Sequence, residues 1–291
     1  MTRLTRRIPS GWWFLAPSAV ILGEFTVWPI IQALWMSLHD WSFLSRERPF
    51  IGGDNYAALL SDDRFWNALR NTIVYTVATV PVQIALALGL AIALDSALKG
   101  RAVLRTAYFL PVISSLAIMA IVWAFLFDPD IGVVTSWLSA LGVPRIAWLR
   151  EPGTAMLAVV IVGIWKTLGF NTVILLAGLQ GVPREQYEAA SLDGASAPQR
   201  FRHVTVPGLR QTLLFVTVIS VIASLQVFDQ VYVMTRGGPL YATETLVTYL
   251  YYQGFTLFRM GYASAISWVL FAGILVISMV QLRLFRYQEV D

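Results

Sequence analysis

The sequence predicts an all-α integral membrane protein with six spanning helices. Three observations carry that expectation: the composition, six apolar stretches of spanning length, and a polar, strongly capped segment between the fourth and the fifth. The 291 residues are 57 % apolar and 13 % charged, against about 45–50 % and about 25 % in ordinary soluble domains. A mean hydropathy of +0.65 agrees. A helix needs about 20 residues to cross a hydrocarbon core of roughly 30 Å, and six stretches qualify, approximately residues 12–37, 69–94, 104–127, 154–179, 209–235 and 262–282.

The first stretch follows Arg3, Arg6 and Arg7, as the apolar core of a secretory signal would. It is too long for one. It runs past Pro17 and Pro29 to Leu38 without an Ala-x-Ala cleavage pattern, which favours an uncleaved signal-anchor, and Arg6-Arg7 is a weak match to a twin-arginine signal. Glu24 lies between the two prolines, where backbone groups freed by proline need a partner. Beyond the first span, residues 54–60 and 62–69 carry Tyr56, Leu59, Leu60, Phe65, Trp66 and Leu69 at mixed helical spacing, as in two interfacial helices. Most of the 11 Trp and 11 Tyr are expected in an aromatic belt at the membrane surfaces.

Polar residues within the later spans are the clues to function. A charge at the bilayer centre costs about 2.5–3.5 kcal/mol on insertion scales, so Lys166 and Asp229, like Glu24, are expected to face protein or water. Gln226, Asp229, Gln230 and Val233 share one face of the fifth span by spacings of three and four; Lys166, Phe170 and Val173, with Asn171 adjacent, share one on the fourth. Lys166, Asn171, Gln226, Asp229 and Gln230 are therefore candidates to line a path for a hydroxyl-rich solute. An interhelical ion pair between Lys166 and Asp229 that fixes packing is the alternative, and neither excludes the other. Gln83, two residues after Pro81, has the same structural explanation as Glu24.

The cytoplasmic side follows from basic residues. With the N-terminus inside, twelve of the 21 Lys and Arg fall in cytoplasmic segments and seven outside, namely Arg46, Arg48, Arg64, Arg145, Arg150, Arg236 and Arg259. Both termini and residues 181–208 are then cytoplasmic. In that segment Pro183 suits the first turn of a helix through Arg184, Tyr187, Glu188 and Leu192, with Gly194 as its left-handed stop. Ser196 and Gln199 read as a capping box that starts a second helix, ended by Pro207. Ala189 and Ala190 permit close approach of a partner, and Glu188 is placed to meet a basic group. Two short helices about a glycine corner suit docking better than mere connection.

The chain has no motif for chemistry of its own. A phosphate-binding loop needs Gly-Lys-Ser/Thr, and Lys99 and Lys166 follow Leu98 and Trp165. His-Glu-x-x-His and Gly-x-Ser-x-Gly are missing, and the two histidines, His39 and His203, fall on opposite sides of the membrane in this topology, so packing or solvation accounts for them better than a ligand role. Cysteine is absent, which excludes disulfides and thiolate metal sites; no catalytic or metal-binding set is expected. Basic residues are scattered rather than striped, which argues against nucleic acid. No repeat or low-complexity tract divides residues 1–291, which read as one transmembrane domain.

Glu188-Ala189-Ala190 with Asp193-Gly194 and, nineteen positions after the glutamate, Pro207 resembles the cytoplasmic coupling loop of permease subunits of binding-protein-dependent ATP-binding-cassette importers. Val204 and Val206 stand where that family often has Ile and Leu. Trp28-Pro29-Ile30, Phe50-Ile51-Gly52-Gly53-Asp54-Asn55-Tyr56, Phe109-Leu110-Pro111, Trp165-Lys166, Ala177-Gly178-Leu179-Gln180, Phe228-Asp229-Gln230-Val231-Tyr232 and Gly237-Gly238-Pro239 with Thr243-Glu244-Thr245 are similar to the carbohydrate-uptake class, in its glycerol-3-phosphate and multiple-sugar branch. The resemblance implies the six-helix importer permease fold in a bacterial cytoplasmic (inner) membrane. It also implies a second homologous permease subunit, an ATPase dimer that uses ATP and Mg, and an extracytoplasmic solute-binding protein. This chain would bind no cofactor. The expected solute is a sugar, glycerol 3-phosphate or a glycerophosphodiester; the alternative is an ion-gradient-driven secondary transporter using Glu24 or Asp229.

Because native cysteine is absent, single cysteines report topology without background. Ser196→Cys is expected to label only from the cytoplasm and Ser61→Cys only from outside; opposite labelling of the pair by an impermeant maleimide would invert the orientation.

Overall fold

The computed structural model describes residues 11–95 and 101–287, with side chains described over 14–95 and 106–284. Arg3, Arg6, Arg7 and Lys99, which weigh in the orientation, lie outside the described residues. Among the described residues the chain is helical, with isolated bridges at His39–Phe50 and Ser42–Arg259 in place of strands. Five helices are long and apolar enough to cross a membrane: Phe14–Ser37, Asp63–Asp95, Pro152–Gln180, Arg210–Met234 and Met260–Leu284. Two further apolar arms, Thr106–Ile113 and Leu116–Leu126, meet at a bend of 115°, and counted together as one span they make a sixth.

That bend corrects the expectation of one continuous third span over 104–127. Pro111 cannot donate the next helical hydrogen bond, and Ser114 turns its hydroxyl back onto the Leu110 carbonyl at 2.8 Å. Ser115 is extended (φ −60°, ψ 128°) and begins the second arm as its N-cap residue. The second span also departs from expectation. Residues 62–69 form no separate surface helix, because the span starts at Asp63 and buries Phe65 and Ala68. The fifth span is interrupted as well, into Arg210–Leu225 and Asp229–Met234, so Gln226 and Asp229 do not lie on one regular helical face.

The chain divides into two compact units. One comprises Met1–Asp62 with Leu250–Phe271. Its first span buries none of its most apolar stretch and carries a π-turn at Gly23–Val27, where Trp28 N–H reaches back to the Gly23 carbonyl. The wider turn accommodates the ring of Pro29. The helix Asp54–Leu60 forms as expected, and Asn55 ties it to the first span's end by donating to the carbonyls of Ser37 at 2.8 Å and His39 at 3.1 Å. His39 is buried against Trp35 and Phe50, a packing role.

The other unit, Asp63–Tyr249 with Ala272–Asp291, is built on the fourth span, half of whose most apolar stretch is buried. Ala155, Ala158, Val159, Val162 and Gly163 give that helix a slim profile, which lets neighbours approach closely where lipid offers no hydrophobic drive for association. At Gly169 the approach is closest: any Cβ there would collide with the Tyr108 carbonyl on the first arm of the third span. Ala87, Ala91, Leu175, Leu179, Leu209 and Val216 close one end of this core, and Phe127, Trp148, Val162 and Met234 another.

The turn between the fifth span and the helix Leu246–Tyr251 is clamped to the start of the second span. Arg64 donates to both oxygens of Glu244 at 2.8 and 2.7 Å, with its guanidinium 4.1 Å from the Tyr241 ring centre. Asn67 and Asn71 each donate to the Tyr241 carbonyl at 2.9 Å, and Asn71 to that of Glu244 at 3.0 Å. Glu244 is 3 % exposed, so removing its counter-charge strands a buried carboxylate. Arg64→Ala is expected to cost about 3 kcal/mol and Glu244→Gln less, because an amide still accepts one of the two bonds. Thermal unfolding of the purified protein checks the ranking.

Candidate functional site

Two features stand out, a polar cavity and an exposed two-helix loop. The cavity, of about 330 Å³, lies among the second, fourth and fifth spans, with Leu116 of the third at its edge. All five residues singled out from the sequence, Lys166, Asn171, Gln226, Asp229 and Gln230, line it. A hollow of about 460 Å³ lies beside Phe109, Leu110, Ile113 and Leu176. Its walls are mostly apolar and offer a hydroxyl-rich solute few partners.

Lys166 does not pair with Asp229, so the ion-pair alternative is not the arrangement found. Its Nζ donates to the carbonyls of Pro111 at 2.5 Å, Val112 at 3.3 Å and Ser114 at 2.6 Å. Those carbonyls end a helix and have no partner within it, and their partial negative charge favours a cation there. Lys166 thus caps the open end of the third span's first arm. Gln230 is likewise committed: it is 2 % exposed and donates to the Tyr75 hydroxyl at 2.6 Å and the Val159 carbonyl at 3.4 Å. Asn171, also buried, donates to Ser220 Oγ at 3.4 Å and joins the fourth span to the fifth. Gln226 and Asp229 are exposed within the chain. The cavity also holds Gln83, which accepts from Thr167 Oγ1, together with Ser220 and Ser224. The sequence signal for that serine pair was its spacing of four on the fifth span, in an otherwise apolar run.

The loop forms the elements expected of it. A helix Arg184–Leu192 ends in a Schellman motif: Ala195 N–H donates to the Ala190 carbonyl at 2.9 Å and Gly194 N–H to that of Ser191 at 3.1 Å. Gly194 has φ +76°, a region that other L-residues adopt only at a cost. The Ser196–Gln199 capping box is present, with Gln199 Oε1 accepting from Ser196 N–H at 2.7 Å. Arg200 donates to Ser191 Oγ at 2.6 Å, and the hydroxyls of Tyr187 and Thr205 meet at 3.1 Å, so the two helices are tied together.

Pro207 does not end the segment as expected. A π-turn at Phe201–Thr205 precedes it and Pro207 sits in the helical turn Val206–Gly208. As at Pro29, the widened turn removes the clash between the proline ring and the carbonyl four residues back. Glu188, Ala189, Asp193, Gly194 and Pro207 are exposed, Ala190 half-buried, and Leu192 is 90 % exposed at the corner. A rigid, capped surface tipped by a bare leucine is suited to docking.

Residues 85–289 match the family described as the binding-protein-dependent transport system inner membrane component. The chain belongs to that family. It is a multi-pass transport-system permease rather than an enzyme. It is 38 % identical over 277 residues to the probable ABC transporter permease protein YurN of Bacillus subtilis, covering 94 % of each chain. It is 36 % identical over 285 residues to the trehalose/maltose transport system permease protein MalF of Thermococcus litoralis, covering 98 % of this chain and 96 % of that one. The lactose transport system permease protein LacF of Rhizobium radiobacter is 37 % identical over 278 residues, with 94 % and 92 % covered. A solved bacterial ABC transporter that imports the acidic polysaccharide alginate shares the fold, with a TM-score of 0.84 at 24 % identity over 95 % of this chain and 94 % of that one.

The capping role of Lys166 separates from pairing in a mutant cycle. Lys166→Met is expected to cost about 2–3 kcal/mol, as carbonyls served by a charged donor lose it, and to lower the yield of folded permease. Asp229→Asn should leave the yield near that of the parent, and adding it to Lys166→Met should rescue nothing. Rescue, measured as monodisperse protein by size exclusion, would restore the ion pair.

Proposed function

We propose that this chain is the membrane-spanning subunit of a bacterial inner-membrane importer for a sugar-type solute. In this proposal it forms a single permease domain paired with a second, similar permease subunit. An ATPase dimer using ATP and Mg docks on residues 181–208, and an extracytoplasmic binding protein delivers the solute. Both termini are cytoplasmic, as the bias of basic residues favours.

One observation carries the proposal: the same helix, Pro152–Gln180, lines the polar cavity and runs within a few residues into the exposed helix Arg184–Leu192. Motion imposed on the loop therefore reaches the cavity wall across a three-residue turn and along the rod of Pro152–Gln180. Relatives named for trehalose/maltose and lactose transport support a sugar over glycerol 3-phosphate or a glycerophosphodiester. An alginate transporter solved with a pentasaccharide-bound periplasmic protein supports delivery by such a partner.

The mechanism is alternating access. Closure of the ATPase dimer around ATP moves the loop and opens the cavity outward; hydrolysis returns it inward. Loaded binding protein and ATP must prefer the same outward state, since a ligand shifts an equilibrium only by its differential affinity.

Glu188→Lys reverses the charge offered to a basic partner group, and Gly194→Val puts a β-branched residue at positive φ. Each variant is expected to reach the membrane at parental levels while solute-stimulated ATP hydrolysis in the reconstituted transporter falls about tenfold, the equivalent of 1.4 kcal/mol. Full stimulation in both variants would refute docking by this loop.

A further inference from the structure

We infer that the cavity selects uncharged, hydroxyl-rich solutes and turns away those bearing a phosphate or carboxylate, because its one ammonium is already committed to backbone carbonyls while the carboxylate of Asp229 stands uncompensated. This inference rests on the cavity being the solute path.

An ammonium has three protons to donate, and Lys166 has three carbonyl partners at the break in the third span. A phosphate or carboxylate could reach it only by displacing a carbonyl, which would then sit unsatisfied among apolar helices. The ammonium that would otherwise invite an anion is therefore a structural cap. The lining holds a single ammonium side chain, Lys166, and a single carboxylate side chain, Asp229. The Asp229 side chain is exposed and makes no ion pair or hydrogen bond among the described residues.

An ionised carboxylate only accepts hydrogen bonds. A sugar hydroxyl donates one; a phosphate ester, with charge of about −1.5 to −2 at pH 7 and strong acceptors, is repelled. Gln226 adds a neutral amide able both to donate and to accept, and Ser224 Oγ, whose proton goes to the Val221 carbonyl at 2.9 Å, adds an acceptor. The rings of Phe170 and Phe228 supply apolar surface for the C–H faces of a sugar ring.

A cysteine placed in the wall tests this inference, because this chain has no other cysteine and its labelling is read on this subunit alone. Ala223 lines the cavity and is exposed, so Ala223→Cys is introduced into the complete transporter in nanodiscs and its alkylation by a small maleimide is timed. Maltose, trehalose and lactose are compared with maltobionate, lactobionate and glycerol 3-phosphate at equal concentration. At least one neutral sugar is expected to slow alkylation threefold or more while none of the anions does, and adding Asp229→Asn should let its acid counterpart protect to within twofold of the sugar. Equal protection by sugar and acid in Ala223→Cys alone overturns the charge selection and leaves the cavity as a path. Continued rejection of the acids after Asp229→Asn overturns the role of Asp229. No protection by any probe overturns the path assignment itself, and this inference with it.

Discussion

Backbone carbonyls left open within a bilayer have no water to turn to, and the third span presents three of them where Ser114 and Ser115 interrupt it. Lys166 meets that need from the neighbouring helix. With its partners supplied, the break persists as a 115° bend instead of relaxing into a straight helix. Gly169, one turn along from Lys166, brings the Tyr108 backbone close enough for the cap to reach. Bend, close approach and cap form one device, and the polar cavity opens beside it.

The fourth span joins this device to the rest of the machine. At one level it carries Lys166, Thr167 and Asn171; further on it leads into the loop whose corner is set by Gly194. Ties within the loop, Arg200 to Ser191 and Tyr187 to Thr205, let it move as a body. In the proposed coupling, force applied at Glu188 or Leu192 would otherwise be lost in flexing.

Features set by local chemistry were legible in the sequence. Gly194 and the Ser196–Gln199 box announce themselves because a left-handed corner and an N-cap each demand particular residues at fixed spacing. Spans announce themselves by apolar length, and five appeared as helices of spanning length, but hydropathy could not show that the third is a pair of arms bent by 115°: Leu116–Leu126 is as apolar as any continuous helix. The partner of Lys166 was illegible for a related reason. Backbone carbonyls are present in every residue and leave no mark, so the carboxylate of Asp229 was the visible candidate. Pro207 misled because a π-turn lets a helix pass a proline, and nothing in Phe201–Thr205 advertises that turn. The five proposed path residues do gather in one cavity, yet Gln230 and Asn171 mainly join helices there, leaving Gln226 and Asp229 more open to a solute.

Uptake by the reconstituted transporter decides most directly between an ATP-driven permease and a carrier that works alone on an ion gradient. Proteoliposomes containing the complete transporter are given labelled sugar outside, with and without binding protein, and with ATP or its non-hydrolysable analogue enclosed. Uptake is expected only with binding protein and hydrolysable ATP together, and is expected to survive collapse of proton and sodium gradients by ionophores. Uptake by this chain alone, driven by an imposed gradient and abolished by an ionophore, would contradict the account.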